Sequence, residues 1–399
     1  MTAAWQDSRA NLAAHPVAWP MARAIRHLGP VVHVPGLGLV VNDALLSHEI
    51  LSRDRDFTKN GEGSIAAVMT QAFGPRALAN MDGEAHRQFR QRLGGLTDPS
   101  HGEAWLAASL SPFTDALERL RGGATVDVAH VARTLSGRLT FTLLGTTPNA
   151  PTADIDDRAR EVHALGQRIA SALQLTPLAG SRLAAVRQDQ QRLLSFAHDA
   201  FQRPDLPEIS LVARLKALDC TEEETRGVLS IFFVAGALTL GVAIPRMIAL
   251  LVDTGQIAVL QHNPSLLNGA VDEAMRFICP VPATLRVAAH DTLLSGRRIR
   301  AGTRVVIVTA NCARDSTLFP DGDRFDVARV HDARARYLWY GAGTHFCLGF
   351  SLAQRTLRHV VAAFTALPGT LRVVRRRAAR NVLLPAWSTL ELRLAGDAG

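Results

Sequence analysis

The 399-residue chain has only four cysteines, Cys220, Cys279, Cys312 and Cys347, and their spacings form neither a zinc pattern nor a disulfide framework. A zinc finger and a disulfide-stapled fold are thereby excluded, and a reducing cytoplasm is the expected compartment. Charged residues make up 20% against 47% hydrophobic, a balance that excludes a disordered chain and leaves apolar material for a large core. Residues Met1 to Ser8 lack a basic segment followed by an apolar run, so no signal peptide or membrane anchor is expected. Internal repeats, low-complexity tracts and nucleic-acid-binding motifs are also missing. The formal net charge is nevertheless +8, with part of the excess in Arg372, Arg375, Arg376, Arg377 and Arg380. With no nucleic-acid motif beside it, this basic patch points to an acidic protein partner. His290 and His331 have no neighbour at metal-ligand spacing and read as surface residues.

What is present concentrates in Tyr340-Gly341-Ala342-Gly343-Thr344-His345-Phe346-Cys347-Leu348-Gly349. One cysteine stands among closely spaced glycines, and from Leu348 onward an apolar helix runs through Leu352, Leu357, Val360, Val361 and Phe364. A thiol at such a loop-to-helix junction meets unpaired backbone N–H groups and the positive end of the helix dipole. Both are expected to lower its pKa and make the sulfur a poised metal ligand. Gly341, Gly343 and Gly349 let backbone lie against a large flat group beside that sulfur.

The pattern Gly-x-Gly-x-His-x-Cys-x-Gly resembles the haem-ligand loop of the cytochrome P450 family, with Tyr340 where phenylalanine usually stands. The resemblance implies that Cys347 is the metal ligand of haem b, with Tyr340, Gly341, His345, Leu348, Gly349 and Ala353 around the cofactor. It extends along the chain in family order. Within Met81-Asp82-Gly83-Glu84-Ala85-His86-Arg87-Gln88-Phe89-Arg90, His86 and Arg90 share a helix face and are implied to hold the haem propionates. Arg286, in Pro280-Val281-Pro282-Ala283-Thr284-Leu285-Arg286, is implied to do the same. Ala235-Gly236-Ala237-Leu238-Thr239 matches the oxygen-groove motif, which implies catalytic roles for Ala235, Gly236 and Thr239. Leu238 replaces the carboxylate that normally precedes the threonine, and a leucine cannot relay protons. Glu273-Ala274-Met275-Arg276, together with Arg324, resembles the Glu-Arg-Arg network behind the haem loop and is assigned to folding. Implied substrate contacts are Met69, Phe233, Ala237, Pro282, Ala283 and Trp387.

Local signals place these motifs. Val31 to Asn42 alternates around Pro35-Gly36-Leu37-Gly38 and predicts a hairpin, with a helix starting at Asp43. Gly61 to Asn80 has no clean period and reads as a loop over the pocket. Breaks at Gly122-Gly123, Thr147-Pro148-Asn149, Pro177 and Pro204 to Pro207 divide a helical stretch from Leu106 to Asp219. Thr221 with Glu224 predicts a capping box opening a helix to Asp253, ~48 Å long, with a kink caused by Pro245. Its apolar run is long enough to cross a bilayer, but one mid-chain span would separate the motifs, so it reads as a core helix. Val305 to Thr309 predicts a buried strand, and Asn381 to Trp387 a final turn toward the pocket.

The expected fold is therefore mainly α with small β-sheets, one P450-like domain over 1–399. Segments of roughly 28–60 and 281–399 form its β-rich part against a larger helical lobe. The expected activity is that of a bacterial haem-thiolate monooxygenase acting on an apolar small molecule of secondary metabolism. It draws electrons from NAD(P)H through a reductase and a ferredoxin that docks on the basic face near Arg355 and Arg358. The chain is expected to be a cytoplasmic monomer without membrane or nucleic-acid partners. Leu238 also allows a peroxide-driven enzyme, or one performing coupling, ring closure or rearrangement. A haem-binding protein without catalysis is the third alternative.

Overall fold

The computed structural model describes residues 3–60, 65–145, 152–172 and 179–395. The predicted hairpin forms as β1 (Val31–Val34) and β2 (Gly38–Val41), paired antiparallel. Asp43 then caps α1 (Ala44–Ser52), its side chain accepting from Leu46 N at 2.8 Å. Further along, β3 (Phe57–Thr58), β4 (Thr284–Ala288) and β5 (Arg304–Ile307) join the hairpin in one sheet of order β1-β2-β5-β4-β3. The β2–β5 pair is parallel, with Leu39 opposite Val305, so the two ends of the sequence are stitched together by backbone hydrogen bonds. The predicted strand ends sooner than expected, because Thr309 already opens the short helix Thr309–Cys312.

Part of the aperiodic stretch after residue 60 is helical, Ile65–Phe73, while Gly61 to Ser64 lie outside the described residues. Next comes α2 (Gly83–Arg92), capped by Asp82. The helical lobe includes α3 (Val128–Leu144) and α4 (Thr152–Ala172); the breaks at Thr147–Asn149 and Pro177 lie outside the described residues.

The capping box is present: Glu224 N donates to Thr221 Oγ1 at 3.2 Å, and Thr221 N donates to Glu224 Oε2 at 2.9 Å. It opens α5 (Glu222–Ile231), followed by a π-turn over Phe232–Gly236 and then α6 (Ala237–Asp253). The run from Glu222 to Asp253 is long and apolar enough to cross a membrane, and 78% of its most apolar window is buried inside the fold. The interruption thus falls before Thr239 as a π-turn, while Pro245 sits inside a continuous helix. Around α6 pack α3, α4, α7 (Leu267–Ile278) and α8 (Phe350–Thr365). The chain closes with the hairpin β6 (Thr370–Ala378) and β7 (Trp387–Ala395).

Behind the cysteine loop, Glu273 and Arg276 on α7 are both fully buried. Arg276 Nε and Nη2 donate to the Glu273 carboxylate at 2.6 and 2.8 Å. The third arginine is Arg329, not Arg324: Arg329 Nε reaches Glu273 Oε1 at 3.1 Å with its side chain 11% exposed. Arg324 points outward, 68% exposed beside Asp326, and only its carbonyl joins the network by accepting from Arg276. His331 also departs from the surface reading, since its side chain is 4% exposed and its Nε2 lies 3.0 Å from Glu273 Oε2. His290 is a surface residue, paired with Asp56.

Candidate functional site

Cys347 lies just before α8 in a loop whose backbone the glycines permit. Gly343 has φ +63°, and a Cβ there would lie 2.7 Å from Leu51 O, so a side chain is barred twice, by conformation and by space. Cys347 N donates to Tyr340 O at 3.1 Å and Phe350 N to Cys347 O at 3.3 Å, which fixes the cysteine between loop and helix. The expected lowering of the thiol pKa is reversed: burial pushes it up, and the Gly349 N–H and Arg90 only partly offset this. Desolvation outweighs the helix end because the sulfur is held three residues before α8 starts.

Tyr340 is half-buried, and its hydroxyl accepts from Gln354 Nε2 at 3.3 Å. Gln354 also donates to Asp272 Oδ1 at 3.0 Å, so the extra oxygen of this tyrosine is absorbed into a buried polar chain behind the loop. Its ring stands edge-on to Phe350 at 5.0 Å. Leu348 and Ala353 are half-buried, with Leu348 O accepting from Thr97 Oγ1 at 2.8 Å.

A cluster of basic side chains gathers on one side of this loop. His86 and His345 stack with ring centroids 4.1 Å apart. Arg90 Nη2 donates to Phe346 O at 2.9 Å, and buried Arg286 donates to Leu285 O at 2.9 Å. Burial, then His345 and Lys59, hold His86 down to about 3, while burial brings Arg286 down to about 10. Lys59 belongs to the same cluster, and sequence reasoning missed it. Burial and the nearby Arg286 bring its ammonium down to about 8. Lys59 and Lys216 are the only lysines in a chain rich in arginine, a signal that was available in the sequence.

Asp82 is the carboxylate that organises the cluster. It accepts from Thr58 Oγ1 at 2.6 Å, Lys59 N at 2.6 Å, Gly83 N at 2.9 Å and His345 Nε2 at 3.1 Å. Burial alone would raise its pKa, but these bonds, led by that from His345, hold it well below the usual carboxylate range. One carboxylate does not balance Lys59, Arg90 and Arg286 together with two imidazoles, and the buried His86 Nδ1 has no partner among the described residues. Cations gathered beside a single loop cysteine fit a cofactor bearing two carboxylates and a metal that takes one sulfur. Haem meets both conditions. A Cβ on Gly349 would meet nothing within 4 Å, which leaves open space two residues beyond the sulfur.

On the long helix, Ala235 is exposed and Gly236 and Thr239 are half-exposed, although they lie midway along a mostly buried helix. These three therefore border open space, and Thr239 Oγ1 donates to Ala235 O at 2.6 Å. Phe233 and Ala237 are fully buried and do not reach that face. Leu238 is 4% exposed and packs over Gly166 of α4. Met69 and Pro282 are half-buried and Ala283 is exposed. Trp387 is buried, and the turn before it reaches α6 on the Leu238 side, away from the Thr239 side.

Comparison with known proteins gives a consistent set of similarities. The family model described as Cytochrome P450 matches residues 256–364, from the helix before α7 through the cysteine loop to the end of α8. Cytochrome P450-SU2 of Streptomyces griseolus is 37% identical over 179 residues, 43% of this chain and 43% of that protein. The biotin biosynthesis cytochrome P450 of Bacillus subtilis is 26% identical over 278 residues, 67% of each chain. By sequence, the chain spans about two fifths of the length of the first curated relatives it matches, 40% and 43%. In three dimensions, P450BioI solved with an acyl carrier protein ligated to hexadec-9Z-enoic acid aligns with TM-score 0.80 at 20% identity. That superposition covers 96% of this chain and 100% of the other.

Proposed function

We propose that this chain, which belongs to the cytochrome P450 family, is a haem-thiolate monooxygenase that oxidises an apolar small molecule of bacterial secondary metabolism. The observation that carries the reading is the excess of cations, half-buried Lys59 and Arg90 and buried Arg286, beside the Cys347 loop with Asp82 as their one carboxylate. Cys347 would ligate the iron, and Lys59, His86, Arg90, Arg286 and His345 would hold the propionates. The bound haem supplies oxygen activation and one-electron chemistry.

The chain's own residues do the rest. Asp82 orients His345 and, with it, the stacked His86, so the propionate end is set before the cofactor arrives. Gly236 leaves room beside the helix. Thr239 holds its proton at Oγ1, directed at Ala235 O, and can turn it toward a ligand on the open face. Leu238 moves no proton. The electron donor is a ferredoxin, acidic and docking over a groove beside α8 lined by Tyr337, Phe350, Arg355, Arg358 and His359. The enzyme works in the cytoplasm as a monomer, with NAD(P)H as the ultimate reductant.

The test is spectral and kinetic. Haem-loaded protein should give the carbon monoxide difference band of thiolate-ligated iron and lose it in Cys347→Ala. Reversing Arg355 and Arg358 to glutamate should slow ferredoxin-driven turnover without changing that band. A normal band in Cys347→Ala refutes the ligand assignment, and unchanged turnover in the reversal refutes the docking face. A second reading, a peroxide-driven or otherwise atypical oxidation, is favoured by the buried Leu238. It predicts product formation with hydrogen peroxide at least as fast as with ferredoxin and reductase.

A further inference from the structure

The long helix has a second lined face, separate from that of Thr239. Between α3, α4, α6 and the turn 379–388 lies a cavity of about 230 Å³ whose walls include Arg133, His163, Gln167, Leu238, Gly241 and Trp387. Two helices interlock to form it. A Cβ on Gly241 would come 2.7 Å from His163 Nε2, so only glycine lets this imidazole lie against α6, while Leu238 Cγ sits 3.6 Å from the Cβ position of Gly166.

The donors in this cavity are unmatched. His163 and Trp387 are 6% and 2% exposed, and His163 Nε2 and Trp387 Nε1 have no hydrogen-bond partner among the described residues. An indole N–H can only donate. Arg133 Nη2 donates to the Ser388 carbonyl at 3.3 Å, and among the described residues no carboxylate lies within ion-pair distance of it. Asp127 acts on Arg133 through space without an ion pair, and its Oδ1 accepts from Ala129 N and Leu390 N, both at 3.0 Å. A half-buried guanidinium, an indole N–H and an imidazole thus surround a void without a counter-charge. Leu238, on the same wall, stands where the resemblance expects an acid.

We propose that this cavity binds one carboxylate group, with Arg133 as its counter-charge and the Trp387 Nε1–H and His163 Nε2–H as donors. The carboxylate belongs either to the substrate or to a free small organic acid. The inference goes beyond the monooxygenase reading and does not depend on the iron chemistry. Burial first, and Arg133 second, hold the His163 pKa down to about 4 in the empty cavity. A bound anion favours the charged imidazole, so binding takes up a proton and tightens as pH falls. Arg133 from α3 is the one charged group facing His163; the lining residues from α4, α6 and the turn bring no other titratable side chain.

The test is calorimetric titration of the haem-loaded full chain with sodium butyrate, using sodium chloride as the control. One saturable butyrate site is expected, weakened about tenfold by Trp387→Phe and by Arg133→Gln. Leu238→Asp, which tethers a carboxylate at the same wall, should abolish it. Affinity should rise as pH falls below about 6.5 toward about 5, and His163→Gln should flatten that rise. An organic acid that displaces butyrate and also shifts the haem absorption band identifies the substrate as the source; butyrate binding that no band-shifting compound displaces identifies a free acid. Absence of saturable butyrate binding overturns the proposal, as does binding that Trp387→Phe leaves unchanged. Trp387→Phe removes the N–H while keeping a six-membered aromatic ring in place, so the test survives if Arg133→Gln fails to fold. The carbon monoxide band reports the haem assignment independently.

Discussion

Replacing Glu273 by glutamine tests how much of the fold behind the cysteine loop hangs on one carboxylate. Its two oxygens receive Arg276 at 2.6 and 2.8 Å, Arg329 and the Asp326 N–H at 3.1 Å, and His331 lies 3.0 Å away. Glutamine keeps the shape, removes the charge and replaces one acceptor by a donor facing arginines. Breaking a buried pair from one side costs ~3–5 kcal/mol. The proton linkage gives a similar figure: arginine and histidine partners hold Glu273 at about 2, against an ordinary 4.5, a difference of roughly 3 kcal/mol. The depressed value means the contribution is complete above the unfolded pKa of 4.5 and lost as pH falls from there toward 2. Urea unfolding of the variant should therefore show a loss of about 3 kcal/mol near neutral pH that shrinks as pH falls below about 4. Two arginine controls sharpen the test. Arg329→Ala should lose most of a hydrogen-bonded charge pair, and exposed Arg324→Ala under about 1 kcal/mol. A Glu273→Gln loss below about 1 kcal/mol, or a larger effect at Arg324 than at Arg329, would refute this account.

Other consequences can be measured directly. Lys59→Met should weaken haem retention, read as faster transfer to apomyoglobin. In the cofactor-free chain, Lys59 has a lowered pKa near 8 against 10.5, so stability should rise with pH between those values, and the methionine variant should lack that rise. Gly343→Ala must adopt φ +63° and push against Leu51 O at 2.7 Å; a loss of ~1–3 kcal/mol and reduced haem content are expected. Gly241→Ala would press on His163 Nε2 at 2.7 Å, with a loss of similar size by thermal or urea unfolding. Leu238→Asp should raise product formed per electron in the ferredoxin-driven reaction; unchanged coupling would show that this position is not what limits proton supply.

Several elements were legible because their signals are local. The Pro35-Gly36-Leu37-Gly38 hairpin, the Thr221–Glu224 capping box and the apolar core helix each follow from a few adjacent residues, and the structure contains them. What was hidden depends on contacts between distant parts. Arg329 supplants Arg324 because the loop between the short helix Thr309–Cys312 and the cysteine loop presents one arginine inward and the other outward, a choice made by burial and not by spacing. His331 reads as a surface residue in isolation, yet Glu273, 58 positions earlier, draws it inside. The thiol of Cys347 defies the helix-end argument because desolvation grows with the packing around the loop, which the sequence does not display. Lys59 sits between a two-residue strand and a segment without period, so nothing nearby marks it as buried. Leu238 was visible as a missing acid, but the unpaired guanidinium on another helix that shares its cavity was not.

The π-turn at Phe232–Gly236 has a consequence for how this helix tolerates change. Its wider winding fits one surplus residue into the rod, so a single deletion there would restore ordinary α-helical pitch. Everything upstream would then keep its facing relative to everything downstream, whereas the same deletion in regular α-helix would swing it by about 100°. The half from Glu222 to Ile231 would keep its apolar stripe on its present neighbours and Thr239 its own, which makes this the stretch of the rod where a residue can be lost without turning its two halves against each other.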